Sequence, residues 1–253
     1  MNRTGLALVT LLAFHGASAN LPGDNRFFDL PPLPKPESYG NLLLDRLSTA
    51  AGEDPVGFSH WSHRTRYTCR VCHLELEFAM ELEASEITEE ANRNGRFCGA
   101  CHDGQTAFGH TEEGCPRCHT GTATGDRKMF KKLRKLPKTG FGNKIDWVEA
   151  LNQGDLAPAM SILEDDFQPI PFNEEFKMEA AWDLIPPADF SHNVHLRWLD
   201  CSNCHPDVFK IRQEGTEELL MKNILEGQFC GACHLTVAFP LDDCKRCHTK
   251  MRR

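Results

Sequence analysis

The chain has 253 residues and a formal net charge of −8, with 36 acidic against 28 basic side chains, and it holds 12 cysteines and 12 histidines. The acidic balance argues against nucleic acid as a partner. Beyond residue 19 no apolar run is long enough for a membrane-crossing helix.

Residues 1–19 read as a secretory signal: Arg3 in a short basic region, the apolar run "GLALVTLLAF", then "ASA" ending at Ala19 as the cleavage box. His15 falls inside that removable segment. A proline-rich leader, 20–56, is expected to wrap the first cysteine-rich module, with a short helix over Tyr39 to Leu47. That module spans 57–120 and has a helix candidate at Glu86 to Asn94, stopped by Gly95.

Residues 121–188 carry no cysteine or histidine. They open with the basic run Arg127 to Lys138 and continue through "NKIDWVEALNQG", a helix candidate ended by Gly154. This stretch is expected to be a surface strap with one anchored helix. Its basic run is a solvated face, a counter-charge for acidic groups of a bound cofactor or a dock for an acidic partner. The second module, 189–253, has a helix candidate at Thr216 to Leu225, where Glu217 and Glu218 favour the start and Gly227 the stop. The fold class expected is loop-rich and mostly irregular, with short α-helices and few strands.

The cysteines form six pairs: Cys69/Cys72, Cys98/Cys101, Cys115/Cys118, Cys201/Cys204, Cys230/Cys233 and Cys244/Cys247. A histidine follows every pair, giving His73, His102, His119, His205, His234 and His248. Cys-x-x-Cys-His is the sequence that attaches c-type haem: two thiols add to the porphyrin vinyl groups and the next imidazole reaches the iron. A disulfide framework or zinc knuckles would account for paired cysteines, but not for a histidine after each of six. Six covalent haem c groups are therefore expected. So little polypeptide per haem leaves the haems to form much of the core, close to one another. Haem attachment of this kind takes place outside the cytoplasm, so the mature protein is expected in the periplasm or beyond it, after cleavage near Ala19.

The chain is written twice. Phe58-Ser-His60-x-x-His63 recurs as Phe190-Ser-His192-x-x-His195, and the same offset carries Cys69 to Cys201 and Cys98 to Cys230, with "FCGACH" in both copies. The second copy then lacks three residues before its last motif, "AFPLDDCKRCH" against "AFGHTEEGCPRCH", and with them the counterpart of His110.

Five histidines remain for the distal faces: His60, His63, His110, His192 and His195, all beside haem motifs or in the repeated pairs. One iron lacks a partner. Met221, nine residues before Cys230, stands where the first copy has Glu89, so the copy without the histidine has the methionine. Met221 is therefore the candidate sixth ligand, against the reading that it is ordinary helix packing. Met251 is a rival only three residues from His248, and Met80 belongs to the copy that is already complete.

These motifs resemble the cytochrome c3-like and c7-like multihaem family, in particular tandem three-haem c7-type domains. The resemblance rests on "FSH" with its second histidine, on "CGACH" and on "AF" before the last motif, and it covers about 57–120 and 190–253. It implies a compact fold around closely spaced haems, most with two histidine ligands. It also implies that His60 serves the haem of His73 and His63 that of His102, repeated as His192 for His205 and His195 for His234. His110 then serves the haem of His119 and Met221 that of His248.

An iron with two protein ligands has no open position for substrate, which points to electron transfer rather than catalysis. Methionine in place of histidine raises a haem's potential, so the last haem is expected to be the most oxidising of its module. The partners expected are redox proteins: other cytochromes, quinol-linked complexes or outer-membrane complexes. Two other classes compete. One is a multihaem reductase whose open site is the haem of Cys244, Cys247 and His248, should Met221 not bind there. The other is a structural subunit of a haem filament or outer-membrane conduit.

Overall fold

The structure, a computed structural model, describes residues 30, 32–180, 184–210 and 219–251. The expected signal segment and the first part of the Thr216 to Leu225 helix lie outside these residues.

Two antiparallel hairpins set the frame. Strand β1 (Asn41–Leu44) pairs with β2 (Val56–Ser59), in the register Asn41 to Ser59 and Leu44 to Val56. Strand β3 (Glu175–Met178) pairs with β4 (Ala188–Ser191), in the register Glu175 to Ser191 and Met178 to Ala188. The helix expected over Tyr39 to Leu47 is thus replaced by a strand, and helix α1 (Arg46–Ala50) begins only near its end. Gly40 explains this: its φ of 86° is left-handed and breaks any helix there. The next four residues then find backbone partners across the hairpin.

Each hairpin runs directly into a helical turn that carries the paired histidines, α2 (His60–His63) and, in the second copy, α7 (His192–Leu196). The Glu86 to Asn94 candidate is observed as α3 (Glu89–Arg93). Thr88 caps it by accepting from the Ala91 amide at 3.1 Å, and the exposed Arg93–Glu89 pair adds little. The cysteine motifs themselves supply α4 (Cys115–Cys118), α8 (Cys201–Cys204), α10 (Gly231–His234) and α11 (Cys244–Cys247). In the second copy the helix expected over Thr216 to Leu225 is shorter: α9 (Met221–Leu225) begins after Leu220, whose extended backbone (ψ 139°) precedes its first turn.

The segment between the copies is more than a surface strap with one helix. It folds as α5 (Arg127–Lys132), a 3₁₀ turn at Leu133–Lys135, and α6 (Trp147–Asn152). Asp126 caps α5 through the amides of Lys128 and Met129, Asp146 caps α6 through that of Glu149, and Gly154 ends it at φ 75°. The basic run is therefore amphipathic: its charges face solvent, while Phe130 meets Trp61 edge-on at 5.2 Å.

Leu136, Ile145, Trp147 and Ala150 from this segment join Trp61 of the first copy and Trp198 of the second in one buried apolar cluster. The segment departs from expectation because Leu136, Ile145 and Trp147 are where protein side chains, rather than cofactor, fill space between the two copies. Further ties link the halves. The Arg70 amide donates to Trp198 O at 2.9 Å, the Arg70 guanidinium bonds Glu75 and Asp200, and the Tyr39 hydroxyl donates to Ala238 O at 2.6 Å.

Candidate haem sites

All six Cys-x-x-Cys-His segments lie on helical turns. In five of them the histidine amide donates to the carbonyl of the first cysteine, at 2.8–3.0 Å: His102 to Cys98, His119 to Cys115, His205 to Cys201, His234 to Cys230 and His248 to Cys244. The sixth lies in a π-turn, Val71–Glu75. A turn of this kind puts both thiols and the imidazole on one side of the backbone.

No two of the twelve cysteines are joined in a disulfide. Burial raises the thiol pKa at Cys69, Cys72, Cys98, Cys101, Cys118, Cys204, Cys230, Cys233, Cys244 and Cys247, and at several of these a neighbouring thiol adds to the shift, which reveals how the motifs follow one another in space. Cys72 is pushed up to about 12 by burial and then by Cys69, Cys101 and Cys98; Cys98 to about 11 by burial and Cys118. Cys233 reaches about 12 through burial and then Cys69, Cys204 and Cys230; Cys247 about 11 through burial and Cys230. Cys69 thus joins the two copies.

The histidines are held in one orientation. Nδ1 donates to a backbone carbonyl in ten of them: His60 to Gly40, His63 to Ser59, His73 to Phe78, His102 to Phe108 and His119 to Asp54, then His192 to Glu174, His195 to Ser191, His205 to Phe209, His234 to Phe239 and His248 to Pro186. This leaves Nε2 unprotonated and free to bind metal. The pattern repeats between the copies: Asp54 and Pro186, like Ser59 and Ser191, stand at the same offset as the two modules. Burial also favours the neutral ring at His60, His63, His73, His195 and His234. It lowers His60 to about 3, with His73 the next cause, and His234 to about 4.

The repeated phenylalanine is explained at the same time. Phe58 stacks on His63 at 4.6 Å and meets His60 edge-on at 4.8 Å; Phe190 does the same to His195 at 4.5 Å and His192 at 4.9 Å. Phe108 and Phe239, the phenylalanines of the two "AF" pairs, accept from His102 and His234 through their carbonyls and set their rings against the same imidazoles at 4.4 and 4.2 Å.

Three of the histidine pairs expected to share an iron lie opposite one another among the described residues: His60 and His73 at 6.5 Å between ring centroids, His63 and His102 at 6.2 Å and His195 and His234 at 6.3 Å, with ring planes 9°, 54° and 65° apart. Two metal–imidazole bonds of about 2.0 Å each, in line through one atom, separate the ring centres by roughly 6 Å. The pairs are spaced for a metal between them. His192 is packed by Phe172, Phe176 and Phe190.

All of these cysteines and histidines, together with His110 and Met221, line one cavity of about 2730 Å³. Pockets for small ligands are roughly 300–1,000 Å³. Its walls are mainly apolar side chains and its contacts for an iron are imidazoles, so the residues fit several haem groups. Met80 and Met251 line it too, so lining alone does not single out Met221. Nor does the structure bring His110 against His119 as it does the other three pairs.

The carbonyl partners of the histidines were not foreseen from sequence, since a backbone acceptor has no residue signature. Only the "AF" pairs hinted at two of them. No helix among the described residues is long and apolar enough to cross a membrane.

The family described as cytochrome c7 and related cytochrome c matches residues 56–120 and 188–249. Among solved structures, the C-terminal hexahaem fragment of GSU1996 is 26% identical over 86% of this chain and 98% of that one, with a TM-score of 0.28. The N-terminal hexahaem fragment of the same protein is 24% identical over 84% and 99%, with a TM-score of 0.27. No curated protein matches the chain.

Proposed function

Because the chain belongs to the cytochrome c7 and related cytochrome c family and carries six covalently attached haem c groups, we propose that it is a six-haem relay that passes electrons between redox proteins outside the cytoplasm. Its two three-haem modules, 57–120 and 189–253, are joined by 121–188. Membership of the family implies electron transfer. The ligand assignment and the place of action are our own reading.

A bound haem supplies a one-electron carrier, its iron cycling between Fe(III) and Fe(II). The chain's residues decide whether it is only that. Five distal histidines and Met221 would fill the faces opposite the six proximal histidines and leave no coordination position for a substrate. The carbonyls that accept from Nδ1 fix each imidazole and raise its basicity toward metal. Burial favours the neutral ring at His60, His63, His73, His195 and His234 and excludes water from around them.

The observation that carries this reading is the facing of His60 with His73, His63 with His102 and His195 with His234 at 6.2–6.5 Å. It matches the distal pairing inferred for three of the six haems. His192 for His205, His110 for His119 and Met221 for His248 complete the scheme. Other cytochromes, quinol-linked complexes or outer-membrane complexes are the partners proposed.

Low-temperature EPR and near-infrared absorption of the oxidised protein, wild type against Met221→Ala, test it. Six low-spin haems are expected in the wild type, one with a histidine–methionine signature that vanishes in the variant. A high-spin haem already present in the wild type would overturn the relay and favour a reductase with its open site at His248.

A further inference from the structure

Arg64 follows His63 directly and closes helix α2, its amide donating to His60 O at 2.8 Å. Its side chain leaves the first module. The guanidinium carbon lies 4.7 Å from the ring centre of Trp147 and 4.6 Å from that of Trp198, so one ring from the linker and one from the second module hold it. Nη1 donates to Val237 O at 3.3 Å. Both tryptophans are buried, and Arg64 also lines the haem cavity.

Among the described residues no carboxylate comes within ion-pair distance of it. Burial presses its pKa down, and the groups near enough to hold it up are Cys69, Cys233 and Tyr39. A guanidinium stays charged even so. As thioethers the two cysteine sulfurs carry no charge and cannot neutralise it. A cation is thus fixed between the attachment points of one haem in each module. The second copy has no equivalent, because Leu196 stands at the corresponding position.

We propose that Arg64 is a tuning residue for the module junction: its fixed charge raises the reduction potentials of the haems attached through Cys69 and Cys233 above those they would have without it. The reason is electrostatic. Gain of one electron by Fe(III) lowers the charge at the haem by one, and a nearby cation in a medium of low polarity favours that reduced form. The aromatic clamp holds the charge in place where a free side chain would swing to solvent. Because the two modules differ here, the haem of His73 should be easier to reduce than its counterpart at His205. The inference rests on the relay reading of these haems.

The test is a redox titration with dithionite, followed by NMR of the haem methyl groups, on the holoprotein and its Arg64→Gln and Arg64→Lys variants. In Arg64→Gln the haems at Cys69 and Cys233 should move to lower potential, by about 59 mV for a tenfold change in the reduced-to-oxidised ratio of a one-electron couple. The other four should stay in place. Arg64→Lys, which keeps the charge, should return the two toward wild type. Unmoved potentials in Arg64→Gln, six potentials shifting together, or a lysine variant indistinguishable from glutamine would each overturn it. Low-spin EPR signals retained in the variants show that the relay reading stands even where this inference fails.

Discussion

At the scale of single residues, the repeated Phe-Ser-His-x-x-His is a small machine for presenting two imidazoles. The phenylalanine lies against both rings, and the carbonyl of the serine, one residue before the first histidine, accepts from the second. Spacing of three on a helical turn then lets the two rings diverge, His60 toward His73 and His63 toward His102. If His195 is the distal ligand for His234, removing it leaves that iron five-coordinate. Oxidised His195→Ala should therefore show one haem converted from low-spin to high-spin by EPR, with five unchanged and with haem content intact because attachment is covalent. Six low-spin signals in that variant would sink the pairing. The histidines were legible in the sequence because each is a distinct residue at a repeated position. The carbonyls that orient them were not, since Gly40 and Glu174 reach His60 and His192 only through hairpins that close after residues far apart in sequence have paired.

At the scale of elements, the identical "FCGACH" segments reflect close packing as well as haem attachment. A Cβ on Gly99 would sit 1.8 Å from Asn92 O, and one on Gly231 would sit 1.9 Å from Ile224 O. In each copy the helix before the motif, α3 or α9, presses its backbone onto this glycine. The preceding phenylalanines hold the turn under strain, with φ of 46° at Phe97 and 51° at Phe229, a region few bulky residues enter. Gly231→Ala should therefore destabilise the protein by about 1–3 kcal/mol, the usual range for overpacking. Gly140→Ala is the control: nothing lies within 4 Å of its Cβ position, and the change should stay within about 0.5 kcal/mol. Denaturant unfolding of both variants checks this, and equal midpoints would refute the packing argument. Helix α6 was legible because its stop at Gly154 and its polar start are local signals. Strand β1 was not: a helix was expected over Tyr39 to Leu47, and the left-handed Gly40 that redirects the chain is a conformation, not a residue pattern.

At the scale of the whole molecule, protein and cofactor divide the interior between them. Within each copy the side chains mostly face a cavity built for haem, whereas the buried apolar cluster of Trp61, Leu136, Ile145, Trp147, Ala150 and Trp198 lies where the copies meet. A linker without cysteine or histidine reads as accessory only when the search is for haem ligands; its tryptophan and isoleucine supply the apolar area that haem cannot supply between the halves. Trp147 is central to that junction, since it joins the cluster, accepts the Arg64 cation on its face and donates from Nε1 to Asn143 Oδ1 at 3.2 Å. Trp147→Ala should cost about 3–5 kcal/mol. Because the cluster, not the haems, carries this energy, the loss should appear as a lower unfolding midpoint and as new proteolytic cuts within 121–188, while the absorption of the covalent haems stays unchanged. An unshifted midpoint with an intact linker would mean that the haems alone hold the two modules together.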